Sequence, residues 1–308
     1  MWRRWACIGA GGLLIAAAAR AQTPPSFGPP PGIRYEVGIP FGKGGDVELK
    51  LDLAMPAQVR GRLPAVVCIH GGHWRTGRRE LCGPMTFFLA EAGYVAVTVS
   101  YRLAPAHPFP AQLEDVKCAV RWLRANAETY HVDPDRIGAF GLSSGGHLAM
   151  MLAATDPSAG FEGTGGFPKQ SSRVQAAVSY GGALDLTAKY WQRLTTGMLV
   201  DFLGAPYAEA PERYRQASPI EYLDAPDPPV LLFHGDKDYL VPMEQAERFV
   251  AKLKDAGGSA RLRVVQEAGH VWIGDNLVNT RRETIAFFDT HLRPRDRAPA
   301  RASGTPGE

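Results

Sequence analysis

"RIGAFGLSSGGHLAMMLAAT", Arg136 to Thr155, passes from a short apolar β-rich run through paired serines framed by glycines into a run of good helix formers. A strand that turns directly into a helix through G-x-S-x-G is the setting of a nucleophile elbow. In so tight a turn, side chains two residues before and two residues after the nucleophile would collide. Only Ser143 has glycine at both places, Gly141 and Gly145. With Ser144 as nucleophile, Leu142 would fill the first glycine slot. Ser144 is instead next in line, where its backbone N–H can face a developing oxyanion. The bland alternative is a flexible Gly/Ser turn, so the decision rests on the partners that the rest of the chain supplies.

Outward from the elbow, the chain alternates strand and helix patterns. "VELKLDLAMP" from Val47 alternates apolar and polar residues, as a half-exposed antiparallel strand does. "AVVCIH" (65–70), "YVAVTVSY" (94–101), "VQAAVSYG" (174–181), "VLLFHG" (230–235) and "ARLRVV" (260–265) are short β-rich runs. Most are apolar on both faces, which suits buried parallel strands. Between them, Val116, Ala119, Val120 and Leu123 form one helical stripe, and Ala246, Phe249, Val250 and Leu253 another. Pro242 suits the first turn of the second helix and Gly257 its C-terminal stop. The pattern predicts one α/β domain over residues 33–292 with a mostly parallel, doubly wound sheet. From about Leu184 to Pro219 no strand is legible, and this stretch reads as a small cap insertion over the sheet's C-terminal edge. "TDPSAGFEGTGGFPKQSS", Thr155 to Ser172, reads as a flexible loop.

A serine hydroxyl is a weak nucleophile until a base takes its proton, and the base needs an orienting acid. Downstream of Ser143, "VLLFHGDKDYLVP" ends a strand with Asp236 and Asp238, and "VVQEAGH" runs off the next strand onto His270. Asp236 lies one residue past Gly235, where it can cap a turn locally. Asp238 lies deeper in the loop and is the favoured acid. His270 follows a strand and a glycine, so a loop can present it at the sheet edge. His291 falls in a helical run and reads as surface. His147, one turn into the helix after the elbow, reads as packed against it. Serine, acid and histidine in that order at successive strand ends carry far more weight than any one of them.

"IHGGHW", Ile69 to Trp74, follows an early apolar strand. Paired glycines let a backbone approach a substrate and turn its N–H groups inward. Gly71, Gly72 and Ser144 are therefore the expected oxyanion-hole donors. His70 reads as a brace for this loop, and Trp74 as either pocket lining or core. His70-x-x-His73 has the look of a metal pair, but no carboxylate or cysteine is spaced to complete it, so no metal is expected. Cys68 and Cys82 close a short loop and could bridge; the alternative is that these and Cys118 are buried or free thiols.

The ends of the 308-residue chain differ from its middle. "MWRRW" followed by the apolar "ACIGAGGLLIAAAA" and by "ARA" reads as a cleavable secretory signal over residues 1–21. The apolar run is too short and Gly/Ala-rich for a transmembrane helix, although an uncleaved anchor is the competing reading. Residues 22–32, "QTPPSFGPPPG", read as a Pro-rich linker, and 293–308 as a disordered tail. The formal charge of +3 falls to zero once Arg3, Arg4 and Arg20 leave with the signal. A neutral mature chain gives no electrostatic ground for nucleic-acid or stable membrane binding. A secreted or periplasmic location is expected.

With these residues in hand, the chain resembles the α/β-hydrolase superfamily from about Leu63 to His270. Within it, the likeness is to carboxylesterases of the hormone-sensitive-lipase type and the neighbouring feruloyl/acetylxylan-esterase-like group. "HGGHW" is similar to that family's HGGGW, with His73 in place of the third glycine. "SYRLAPAHPFPAQLEDVKCAVRWL" resembles the stretch after its second parallel strand, and "DPDRIGAFGLSSGGHLA" its elbow, with Ser144 where alanine is usual. The family pattern places the acid at Asp238, agreeing with the local argument. The resemblance implies serine-esterase chemistry through Ser143, His270 and Asp238, an acyl-enzyme, and no metal or organic cofactor. The implied partner is a small-molecule or polysaccharide-linked ester. Export and a modest cap fit acetyl or feruloyl esters on extracellular material, and the short insertion near 184–219 predicts faster hydrolysis of short acyl chains (C2–C6) than of C12 or longer. Two alternatives remain at this point: an amide hydrolase of the kynurenine-formamidase type, which also uses an HGG-x-W loop, and a non-catalytic binding protein on the same fold.

Overall fold

The computed structural model describes residues 28–189 and 196–293. The expected signal, the first part of the linker, residues 190–195 of the insertion and the tail from 294 lie outside the described residues. Eight strands form one sheet: β1 (Ile33–Gly44), β2 (Val47–Pro56), β3 (Leu63–Ile69), β4 (Val95–Val99), β5 (Val132–Leu142), β6 (Ala176–Tyr180), β7 (Val230–Gly235) and β8 (Ala260–Val265). Their order is β1-β2-β4-β3-β5-β6-β7-β8. The first two are antiparallel to their neighbours, and β3 to β8 run parallel. The helices are α1 (Gly83–Glu91), α2 (Ala111–Ala125), α3 (Ser144–Ala154), α4 (Thr196–Leu203), α5 (Pro211–Gln216), α6 (Glu244–Asp255) and α7 (Gly274–Leu292).

Successive strand residues point to opposite faces, so a sheet covered on both sides needs apolar residues at every position. Strand β3 meets that need. Ala65, Val67 and Ile69 enter one core with α2, α3 and α6, while Val66 and Cys68 enter a second core with α1 and α7. The two helical stripes read from the sequence are buried in the first core. Crossovers through α1, α2, α3 and α6 join the parallel strands, which makes the sheet doubly wound, as predicted.

Strand β1 was not legible. Gly38, Pro40, Gly42 and Gly44 interrupt its alternation, and its pairing with β2 shifts register twice. An edge position tolerates both features, since one side of the strand carries no partner. The segment 155–172 differs from the expected flexible loop. Glu162 accepts from Lys117 Nζ at 2.9 Å and Arg121 Nη1 at 2.8 Å, and Arg121 Nε donates to Gly166 O at 3.0 Å. Lys117 and Arg121 are buried cations on α2, and a buried charge needs a partner. Their need fastens the loop. Cys68, Cys82 and Cys118 are buried free thiols, so no bridge closes between Cys68 and Cys82.

Candidate active site

The elbow sits between β5 and α3. Ser143 has φ 52° and ψ −120°, a backbone conformation that an L-residue adopts only under local strain. Its N–H is held by Tyr180 O at 2.7 Å, at the end of β6. A Cβ on Gly141 would stand 2.0 Å from Gly145 O, and one on Gly145 would stand 2.1 Å from Ile69 O. Neither position has room for any side chain. The frame therefore fits Ser143 and excludes its neighbour. Ser144 begins α3, so its N–H has no carbonyl four residues back to bond.

The ends of β7 and β8 bring two further groups to Ser143. His270 Nε2 lies 2.8 Å from Ser143 Oγ, and His270 Nδ1 lies 2.7 Å from Asp238 Oδ2. A carboxylate at Nδ1 puts the imidazole proton there and leaves Nε2 to accept from the serine. Asp238 is itself held by its own turn. Its Oδ1 accepts from the N–H groups of Leu240 and Val241, each at 2.9 Å. Burial pushes its carboxyl pKa up, but hydrogen bonds from His234, His270 and Val241 outweigh burial and hold it well below the usual carboxylate range. Asp238 thus stays ionised as a partner for His270. Asp236 is exposed, and its N–H bonds Val265 O in the turn. His291 is exposed on α7.

The loop after β3 approaches from the other side. Gly72 has φ 130°, and a Cβ there would meet Thr76 O at 2.1 Å. His73 has φ 56°, so it keeps the left-handed backbone that a glycine would supply at that place. No turn or loop hydrogen bond among the described residues uses the N–H groups of Gly71, Gly72 or His73. His70 braces the loop as expected: its Nδ1 donates to Gly71 O at 2.8 Å, and its ring stacks on Tyr101 at 4.3 Å. Tyr101 in turn donates to His70 O at 3.0 Å. Among the described residues, no group of three His, Cys, Asp or Glu side chains could hold a metal ion.

Three further side chains shape the site. His147 is buried and occupied at both ring nitrogens. Its Nδ1 accepts from Trp74 Nε1 at 3.1 Å, and its Nε2 donates to Ala217 O at 2.7 Å. Only the neutral ring can do both, and burial lowers its pKa to about 4 despite the Ala217 bond. One imidazole therefore joins the elbow helix, the glycine loop and the segment after α5. Trp74 serves both readings offered for it: it is buried, stacks on Phe202 of α4 at 4.2 Å, and lines a cavity beside Ser143. His234 Nε2 donates to Val241 O at 2.6 Å and lies 3.3 Å from Asp238 Oδ2, so it buttresses the acid's turn. Its place at the end of β7, four residues before Asp238, was the one available signal.

Ser143, His73 and His270 stand between two cavities. One is a slot of about 20 Å³ walled by Trp74, Ser144, Ala183, Met198, Leu199 and Val241. The other is open and measures about 570 Å³, with Leu81, Tyr180, Val271, Trp272, Ile273 and Arg281 in its wall. Both are mostly apolar.

A doubly wound sheet with serine, acid and histidine at the C-terminal ends of β5, β7 and β8 defines an α/β hydrolase. Residues 51–253 match the BD-FAE family, and the chain belongs to it. The resemblance read from its motifs, to α/β-hydrolase carboxylesterases, holds. The chain is 36% identical over 231 residues to Esterase LipQ of Mycobacterium tuberculosis, a match covering 72% of this chain and 53% of that protein. It spans about half the length of the curated relatives it matches. Among solved structures, a truncated carbohydrate esterase from gut microbiota superposes with a TM-score of 0.75 at 25% identity, covering 83% of this chain and 95% of that one. An esterase from the Planctomycetes species Thermogutta terrifontis superposes with a TM-score of 0.71 at 29% identity, covering 86% and 97%.

Proposed function

We propose that the protein is an exported serine carboxylic-ester hydrolase acting on short-chain acyl esters. The observation that carries this reading is the hydrogen-bonded chain Ser143–His270–Asp238, set where the two cavities meet. His270 takes the Ser143 proton as Oγ attacks the ester carbonyl. The oxyanion is met by backbone N–H groups of Gly71, Gly72 and Ser144, and each such donor contributes about 3 kcal/mol to the transition state. Asp238 stabilises the imidazolium, which then protonates the departing alcohol. Water replaces the alcohol, and His270 activates it to release the acyl group from Ser143.

The slot and the open cavity divide the ester between them. The acyl group stays on Ser143 through both steps, so it suits the enclosed slot. The alcohol must leave and water must enter, which suits the open cavity. A void of about 20 Å³ holds little more than one small group. That favours acetyl and other short acyl groups over long chains, and over a feruloyl group in the acyl position. The solved structures of the Thermogutta terrifontis esterase with propionate and with butyrate support a short acyl site of this kind. Among the described residues no helix is long and apolar enough to cross a membrane. Export rests on the leader pattern of residues 1–21.

A nitrophenyl ester series from acetate to laurate, with acetylated xylan and methyl ferulate alongside, tests the reading. Acetate is expected to turn over fastest, with all turnover lost in Ser143→Ala. A wild-type protein inert across the series, or fastest on laurate, overturns it.

A further inference from the structure

The open cavity carries a recognition element that ester hydrolysis does not itself require. We infer that Arg281 binds an anionic group on the alcohol half of the substrate, an inference that rests on the ester-hydrolase reading above. Arg281 is a half-buried residue of α7 and the one arginine or lysine in the wall of the 570 Å³ cavity that begins at Ser143 and His270. Among the described residues, no carboxylate lies within ion-pair reach of it. The acidic residues further along α7 are committed elsewhere, Glu283 to Arg263 at 2.7 Å and Asp289 to Arg293 and Tyr94. Its guanidinium lies over the Phe88 ring, 5.9 Å from the centroid. Among the described residues, no hydrogen bond or ion pair engages its N–H donors, which match a carboxylate in geometry.

Two other polar side chains of this wall, away from Ser143 and His270, are already paired. Trp272 Nε1 donates to Thr280 Oγ1 at 3.0 Å, and Tyr180 Oη pairs with Thr284 Oγ1 at 2.9 Å. Arg281 is thus the one permanent charge in a mostly apolar chamber. A cavity of this size with few polar groups takes an organic ligand whose orientation those groups fix. The rim carries Leu81, Val271 and Ile273, which are 55%, 77% and 81% exposed. Apolar side chains gathered at one mouth are a contact surface for an apolar or aryl body. The fitting substrate is an acetyl or other short acyl ester of such a body, bearing a carboxylate at the end remote from the ester.

Two aryl acetates separate the contributions: 3-(acetoxyphenyl)propanoate and the corresponding propanamide. The methylene spacer keeps the two phenols equally good leaving groups, so their rates differ through the remote group alone. The wild-type protein is expected to favour the carboxylate by about tenfold in kcat/KM, the worth of one charge-assisted contact. In Arg281→Gln the ratio is expected to fall to about one, and in Arg281→Glu below one. Arg281→Lys keeps the charge and is expected to keep a ratio above one. Because the ratio is taken on one sample, a partly unfolded variant does not alter it. A wild-type ratio near one, or an undiminished ratio in Arg281→Gln, overturns the inference while leaving the hydrolase reading intact. No turnover of either acetate overturns the hydrolase reading, and this inference with it.

Discussion

The two walls around Ser143 are built on different principles. On the sheet side, Ser143 and Asp238 are set by backbone. Ser143 is fixed by an elbow with no room for a side chain at Gly141 or Gly145, and Asp238 is fixed by two N–H groups of its own turn. On the facing side, the segment between β6 and β7 contributes α4 and α5 and is fastened by side chains. Trp74 stacks on Phe202, His147 bonds Ala217 O, Gln245 Oε1 accepts from Leu184 N at 2.7 Å, and Ser218 Oγ accepts from Leu186 N at 2.8 Å. The first wall sets Ser143, His270 and Asp238 within hydrogen-bond distance of one another, and the second borders the slot beside them. Substitutions in the first should abolish turnover without altering preference. Substitutions in the second should alter preference or stability while leaving the chemistry in place.

The largest effect belongs to Ser143→Ala. Removing the Ser143 hydroxyl should lower kcat on nitrophenyl acetate by about 10⁵- to 10⁶-fold, with no change in melting temperature. Retained turnover would move the nucleophile elsewhere and dissolve the contrast between the walls. Asp238→Asn comes next. An Asn oxygen can still accept from Leu240 and Val241, but that turns its amide toward His270 Nδ1. The imidazole must then accept at Nδ1 and carry its proton at Nε2, which is the wrong tautomer for taking a proton from Ser143. A loss of about 10⁴-fold in kcat is expected. Asp236→Asn, two residues away and exposed, should stay close to wild type.

How far the sequence reached follows from the same difference. The elbow was legible because its steric demand is local: two glycines and a serine at fixed spacing, between a strand and a helix. His270 and Asp238 were legible because each ends a strand with a clear apolar pattern. The choice of Asp238 over Asp236 came from loop position and from the family pattern; in the structure Asp238 lies beside His270 and Asp236 is exposed. Strand β1 escaped because Gly and Pro at an edge leave no periodic signal. The fastening of 155–172 escaped because Lys117 and Arg121 look like solvent-facing charges until α2 is packed. His147 was expected to pack against the elbow. That it reaches both Trp74 and Ala217 depends on contacts 73 and 70 residues away, which no local pattern encodes.

His147 also supplies a test of intermediate size. Burial lowers its pKa from 6.5 to about 4, so the unfolded chain binds a proton at pH values where the folded chain does not. Stability contributed by the neutral ring is complete above 6.5 and is lost as pH falls from there towards 4. The loss approaches about 3 kcal/mol at the lower end, from a shift of this size at roughly 1.4 kcal/mol per unit. Urea unfolding at a series of pH values should show that slope in the wild-type protein. In His147→Gln the slope should flatten across this window, while the variant is less stable near neutrality because its pins to Trp74 and Ala217 are weakened. An unaltered slope in the variant would place the acid sensitivity in another group.

The smallest effect expected is the most informative about the second wall. Met198 of α4 forms one side of the slot beside Ser143 and is half-buried. Methionine is unbranched and adaptable, so its truncation should enlarge the slot without disturbing the frame around it. Met198→Ala should raise the butyrate-to-acetate ratio of kcat/KM by about tenfold, the worth of one or two methylenes in an apolar pocket. Because the elbow, His270 and Asp238 lie on the other wall, acetate turnover itself should change little. A shifted ratio with acetate turnover preserved assigns the slot to the acyl group and the open cavity to the alcohol. An unshifted ratio reverses that assignment, and with it the reason for expecting short acyl chains at all.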